Sequence, residues 1–146
     1  MKFTIANGVA GLIFLVALGF HGVVLKYITD LEKDNNCACS KNWKRDFIKY
    51  YLITSLVFLG FSLVRVLLNM KNNLVGVLVG SLVKIAGLVN LFIMLFYTNE
   101  LKSKNCECSK NWVRKFMNNY SFFMLVFYPV VSILLLAFML LKKGKK

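Results

Sequence analysis

The four cysteines of this 146-residue chain are the residues whose type and spacing could carry chemistry. They form two C-x-C pairs, Cys37 with Cys39 and Cys106 with Cys108. Three kinds of site fit such pairs: structural disulfides, a zinc site of four thiolates, or reactive dithiols activated by neighbouring lysines and arginines. C-x-C is tighter than the usual spacing of zinc ligands, so we favour disulfides. Zinc and redox chemistry stay open as alternatives.

Both cysteine pairs lie in a repeated segment. Residues 36–51 and 105–120 are identical at 10 of 16 positions, at an offset of 69 residues. Extended backwards, the same offset pairs Thr29 with Thr98. Ser40 and Ser109 stand where an N-cap would start a helix. An aromatic residue recurs every four positions afterwards, which predicts a short interfacial helix with one aromatic face that runs into the second membrane helix of its hairpin.

Four long apolar segments account for a composition that is 58% hydrophobic despite a net charge of +13. Each is close to the ~20 residues that a helix needs to cross a bilayer, and only helices satisfy their own backbone in lipid as single segments. The first is longer than the apolar core of a signal peptide, and the repeat requires it. The segments are 5–25, 50–68, 74–97 and 120–141.

The predicted fold is therefore all-α: a polytopic membrane protein with four transmembrane helices, built as two tandemly repeated helical hairpins with short interfacial helices. Parallel repeats are related by a pseudo-two-fold axis along the membrane normal, so both cysteine loops should lie on one face. The chain is predicted to form a single transmembrane domain. Its parts are half one (1–68), a connection (69–73), half two (74–141) and a basic tail (142–146).

Six aromatic and basic residues of the repeated segments are candidates for an interface. Trp and Arg at headgroup depth are typical of the interfacial belt of a membrane protein, and a specific site for a partner or lipid is the alternative. The cysteine loops hold eleven of the 19 Lys and Arg residues, which leans towards a cytoplasmic position for the loops. The six candidates are Trp43, Arg45, Phe47, Trp112, Arg114 and Phe116.

Lys84 is a polar residue near the middle of the third apolar segment. No acidic residue lies in any of the four segments, so the sequence offers Lys84 no ion pair within the membrane. It is predicted to snorkel or be wetted in the bundle, or to form an intersubunit contact or water path.

The chain contains no catalytic or nucleotide-binding motif, so we predict no enzyme activity and no cofactor. The expected partners are a bilayer with anionic headgroups, neighbouring capsid or membrane proteins, and further copies of the chain, with no specific nucleic acid.

The string C-x-C-S-x-x-W-[+]-R-x-[FY]-I-x-Y, from Cys37 to Tyr50, resembles small multispan membrane proteins of nucleocytoplasmic large DNA viruses. The second copy departs from it at Val113, Met117 and Asn119. This resemblance implies a structural protein of a virion internal membrane or host endomembrane, such as a minor capsid component that links the membrane to a protein shell.

Two alternatives belong to other functional classes. Four membrane helices with cysteine pairs in loops on one face also resemble the membrane oxidoreductases that generate disulfides and pass electrons to quinone. Those enzymes typically use C-x-x-C rather than C-x-C, and their two loops differ. A small oligomeric channel, with Lys84 lining a pore, is the other alternative.

Overall fold

Four long helices make up the computed structural model, which describes residues 5–67 and 74–143. The helices are α1 (Ile5–Lys33), α2 (Trp43–Leu67), α3 (Leu74–Ser103) and α4 (Trp112–Lys143). Short 3-10 turns at Ala38–Ser40 and Glu107–Ser109 lie in the two cysteine loops. The predicted connection 69–73 and the last three residues of the predicted tail lie outside the described residues.

Each helix is long and apolar enough to cross a membrane, as the sequence predicts. The candidate spans are Phe14–Lys33, Trp43–Arg65, Leu78–Ser103 and Trp112–Leu134. The predicted interfacial helices run into the second membrane helices as expected, since their aromatic residues form the first turns of α2 and α4. Both long helices are continuous, and α4 remains helical through Pro129.

The helices pack in a ring in chain order, with α1 and α3 each contacting α2 and α4. Buried side chains among the described residues all lie within 24–55 and 90–121. We call this end of the bundle, which carries the cysteine loops, the head. Beyond it, large apolar side chains such as Leu15, Phe61 and Ile133 are exposed, as expected for surfaces in contact with lipid.

The two halves correspond as a repeat, but with an offset that changes along the hairpin. The second helices begin at Trp43 and Trp112, which gives the predicted offset of 69. The first helices end at Lys33 and Ser103, an offset of 70. The predicted pairing of Thr29 with Thr98 is therefore wrong, and Thr98 corresponds to Ile28; both are buried.

The second loop is one residue shorter because α3 closes more tightly. Asn105 has a φ of 47°, in the left-handed region where Asn is tolerated better than most residues. The Cys106 N–H donates to Leu101 O at 3.1 Å and the Asn105 N–H to Lys102 O at 3.1 Å, which is a Schellman motif. In the first loop the Asp34 carboxylate accepts instead from the Asn36 N–H at 2.9 Å.

Candidate functional site: the paired cysteine loops

Two disulfides join the cysteine loops to each other. Cys37 pairs with Cys108, with 5.6 Å between Cα atoms, and Cys39 pairs with Cys106, with 5.9 Å. Both separations lie within the usual range for disulfides. Because Cys37 corresponds to Cys106 and Cys39 to Cys108, each disulfide is the image of the other under the pseudo-two-fold. The favoured reading from the sequence agrees with this pairing, which the spacing alone did not specify.

The same four cysteines could hold a metal only after both disulfides are reduced and the bonded sulfurs separate. All four sulfur atoms lie within 4.8 Å of one another. A tetrahedral zinc site with Zn–S bonds of about 2.3 Å requires sulfurs roughly 3.8 Å apart, and Cys39 Sγ and Cys108 Sγ are separated by 3.5 Å. Cys37, Cys39, Cys106 and Cys108 would be the ligands, and zinc would then hold the loops together in place of the disulfides.

A buried hydrogen-bond network supports the disulfides. Ser40 Oγ donates to Cys37 O at 2.8 Å, and Ser109 Oγ donates to Cys106 O at 2.7 Å. Two tyrosines then link opposite halves: the Tyr27 hydroxyl donates to Ser109 O at 2.8 Å, and the Tyr97 hydroxyl to Ser40 O at 3.1 Å. Buried polar groups that were left without partners would destabilise the head.

The tyrosine contacts, which the sequence did not reveal, depend on the 70-residue offset. At an offset of 69, Tyr27 would correspond to Phe96, which has no hydroxyl. The predicted N-cap role of the serines is also incorrect. Ser40 is the last residue of the 3-10 turn that precedes α2, so it lies too early in the chain to cap that helix. Helix α2 begins at Trp43, and its N-cap is Asn42, whose Oδ1 accepts from the Lys44 N–H at 3.3 Å.

The two predicted interface arginines are used inside the head. Arg45 is only 8% exposed, and its Nε lies 3.4 Å from Asp46 Oδ1. Arg114 Nη1 donates to Ser109 Oγ at 2.9 Å and approaches Cys106 O at 3.4 Å. Arg114 therefore stabilises the loop that carries two of the cysteines, and Arg45 is not available at the surface of this chain.

The aromatic candidates divide by exposure. Trp43 and Trp112 are each 63% exposed, and Phe116 is also exposed, whereas Phe47 is half-buried. Phe116 contacts both Trp112 and Phe20 of α1 through their rings. The two tryptophans thus project at symmetry-equivalent positions at the start of α2 and α4.

Lys84 is exposed and lines a cavity of about 490 Å³ that all four helices border. The candidate span of α3, Leu78–Ser103, has Lys84 in its first half and Asn90 near its centre. Asn90 is 3% exposed, and its Oδ1 has no hydrogen-bond partner. Tyr51, on α2, also lines this cavity, and its hydroxyl packs against Gly87, where a Cβ would come within 2.8 Å.

No protein-family model, no curated protein and no solved structure matches this chain.

Proposed function

We propose that this protein is a non-enzymatic structural component of a membrane, and that it binds neighbouring proteins at the face carrying its cysteine loops. The observation that carries this proposal is the pair of disulfides that cross between the two halves. With the tyrosine and serine bonds around them, they make a rigid head on four apolar helices. The cysteine loops of such a head can present a fixed surface outside the bilayer.

The disulfides also bear on the side of the membrane that the loops occupy. Structural disulfides persist in oxidising environments and are rare in the cytosol. We propose that the loops face a lumenal compartment or become oxidised during assembly, against the modest lean of the charge distribution. The motif resemblance to viral membrane proteins extends the proposal to a virion internal membrane, with a capsid layer as the neighbour.

Trp43 and Trp112 are the side chains best suited to contact such a neighbour. Aromatic residues supply much of the binding energy at protein interfaces when a partner buries them. We expect Trp43→Ala and Trp112→Ala to reduce retention of the protein in assembled particles, or its cross-linking to neighbours in isolated membranes. Phe61→Ala is the matched control, because Phe61 is exposed at the far end of α2. Normal particles that retain both tryptophan variants would contradict this role.

A disulfide-generating oxidoreductase is the second candidate, favoured by the close approach of sulfurs from different disulfides. Cys39 Sγ and Cys108 Sγ are 3.5 Å apart, as are Cys106 Sγ and Cys108 Sγ. Exchange between disulfides proceeds by attack of a thiolate on a neighbouring sulfur. Quinone-dependent thiol oxidation that Cys37→Ser or Cys106→Ser abolishes would favour the enzyme over the structural role.

Thiol labelling of intact membranes, with and without reductant and chelator, separates these readings. The structural proposal expects labelling of the loops only after reduction, by a membrane-impermeant reagent applied from one side. Labelling that requires a chelator rather than a reductant would identify zinc as the link.

A further inference from the structure

The rim of the head has four grooves, one between each pair of neighbouring helices, and ion pairs close two of them. Between α1 and α2, Lys49 pairs with Glu32. Between α2 and α3, Lys44 Nζ lies 2.6 Å from Glu100 Oε2, and Asn42 Nδ2 donates to the same oxygen at 2.8 Å. In both closed grooves a carboxylate on the first helix of one hairpin meets a lysine on α2.

The groove between α4 and α1 lacks a lysine equivalent to Lys44 of the groove between α2 and α3. Asp30 corresponds to Glu100, but Val113 stands where α2 has Lys44. Asp34 corresponds to Lys104, which pairs with Glu100 at 2.7 Å, so the charge at that position is reversed. Asp30 and Asp34 form no ion pair with any described residue. They line a cavity of about 420 Å³ together with Lys26 and Trp112.

The groove between α3 and α4 lacks a carboxylate equivalent to Glu32 of the groove between α1 and α2. Lys102 corresponds to Glu32, and Lys115 corresponds to Asp46. Asn118 replaces Lys49 and accepts a hydrogen bond from Thr98 Oγ1 at 3.0 Å. Both lysines are exposed, line a cavity of about 250 Å³, and pair with no carboxylate in the part of the chain that the structure describes.

Position along the bundle axis matches the two open grooves to each other. Residues 70 apart on α1 and α3 occupy equivalent heights, so Lys102 lies at the height of Glu32. That level is about 3 Å along α1 from Asp30 at 1.5 Å per residue, and Asp34 follows directly after the last residue of the helix. Copies inserted in one membrane with the same orientation share their height. A neighbouring copy therefore brings Lys102 near the level of Asp30 and Asp34, whose carboxylates form no ion pair within the described residues.

From this complementarity we propose that the protein self-associates laterally, with the basic groove of one copy (Lys102 and Lys115) against the acidic groove of the next (Asp30 and Asp34). The contact is heterologous, because two different patches meet, so repetition produces rings or rows of copies. Lys26 offsets part of the acidic charge, which leaves the acidic groove with one net negative charge. This inference goes beyond the proposed function, since it concerns contacts between copies and not the neighbouring layer.

Charge reversal tests the pairing with the full chain. Donor- and acceptor-labelled proteins in phosphatidylcholine liposomes should show energy transfer that falls with added salt. Asp30→Lys/Asp34→Lys and Lys102→Glu/Lys115→Glu should each weaken association by about tenfold or more, since each removes two ion pairs and adds repulsion. A mixture of the two variants should restore transfer, because each then supplies the patch that the other has lost.

Glu107→Lys is the matched control: it changes charge on the same face outside both grooves, and it should leave transfer unchanged. Undiminished association of either reversal variant, or no recovery in the mixture, would overturn the proposal. Loss of association by Lys102→Glu/Lys115→Glu only in liposomes with phosphatidylglycerol would also overturn it, in favour of bridging by anionic lipid. If reversal prevents disulfide formation, Asp30→Asn and Lys102→Gln carry the same test, with each expected to weaken association.

Discussion

Removing the disulfides one pair at a time should reveal that they are partly redundant. Cys37 and Cys108 are separated by 71 residues in sequence, and Cys39 and Cys106 by 67. For either pair alone, chain-entropy theory gives about 4.4 kcal/mol of stabilisation. Once one pair is closed, however, the other closes a ring of only a few residues, for which the same relation gives about 2 kcal/mol.

We therefore expect Cys37→Ser/Cys108→Ser to lower the free energy of unfolding by about 2 kcal/mol, and removal of all four cysteines to lower it by about 6 kcal/mol. These values are upper limits, because the helices stay formed in the membrane and the unlinked chain gains less entropy than a free coil. The steep second step is the result to look for.

Reversible unfolding in mixed detergent, followed by circular dichroism and by tyrosine and tryptophan fluorescence, measures both steps. Cys39→Ser/Cys106→Ser is the matched control, because the pseudo-two-fold makes it equivalent to the first variant. Equal losses for one pair and for both would refute the reasoning. So would a large difference between the two single-pair variants.

Three further predictions concern contacts in the head and the membrane. Tyr27→Phe and Tyr97→Phe should each lower the free energy of unfolding by about 1–3 kcal/mol, since each leaves a buried carbonyl without its donor, and chemical denaturation of each variant measures this loss. Gly87→Ala should destabilise the protein, because its Cβ would come within 2.8 Å of the Tyr51 hydroxyl oxygen; Tyr51→Phe should restore thermal stability, and no restoration would contradict the clash. Asn105→Ala should cost about 1 kcal/mol and Asn105→Gly much less, because the backbone there has a φ of 47°; equal denaturation midpoints would show that the closing turn is unstrained.

The fold class follows directly from the sequence. Apolar length and the need to satisfy backbone groups in lipid identify four spanning helices. The duplicated hairpin, with two crossings per half, puts both cysteine loops on one face, and the disulfides between the loops are consistent with it. These features depend on local composition and on the even number of membrane crossings in each half, and both can be read from a single sequence.

The sequence predicted which residues form the candidate site, but not which of them contact one another. The four cysteines and the two exposed tryptophans are evident from the repeat, whereas Arg45 and Arg114 look like surface residues and lie within the head. The helical spacing of the aromatic residues could not tell an exposed arginine from a buried one. A basic residue beside an aromatic stripe can point outwards or turn towards the loop carbonyls.

The sequence by itself determined the number of helices, their duplication and the placement of both cysteine pairs on one face. Only the tertiary structure decided which cysteines pair, which tyrosines reach across the halves, and which grooves stay open. The cysteine pairing depends on how the two loops face each other across the pseudo-two-fold, and the open grooves depend on which charged side chains the packing brings together. The tyrosine contacts depend on the tight turn at Asn105, which shortens the second loop by one residue. One residue on a helix corresponds to about 100° of rotation and 1.5 Å of rise, so this change selects Tyr97 instead of Phe96 as the partner of the first loop.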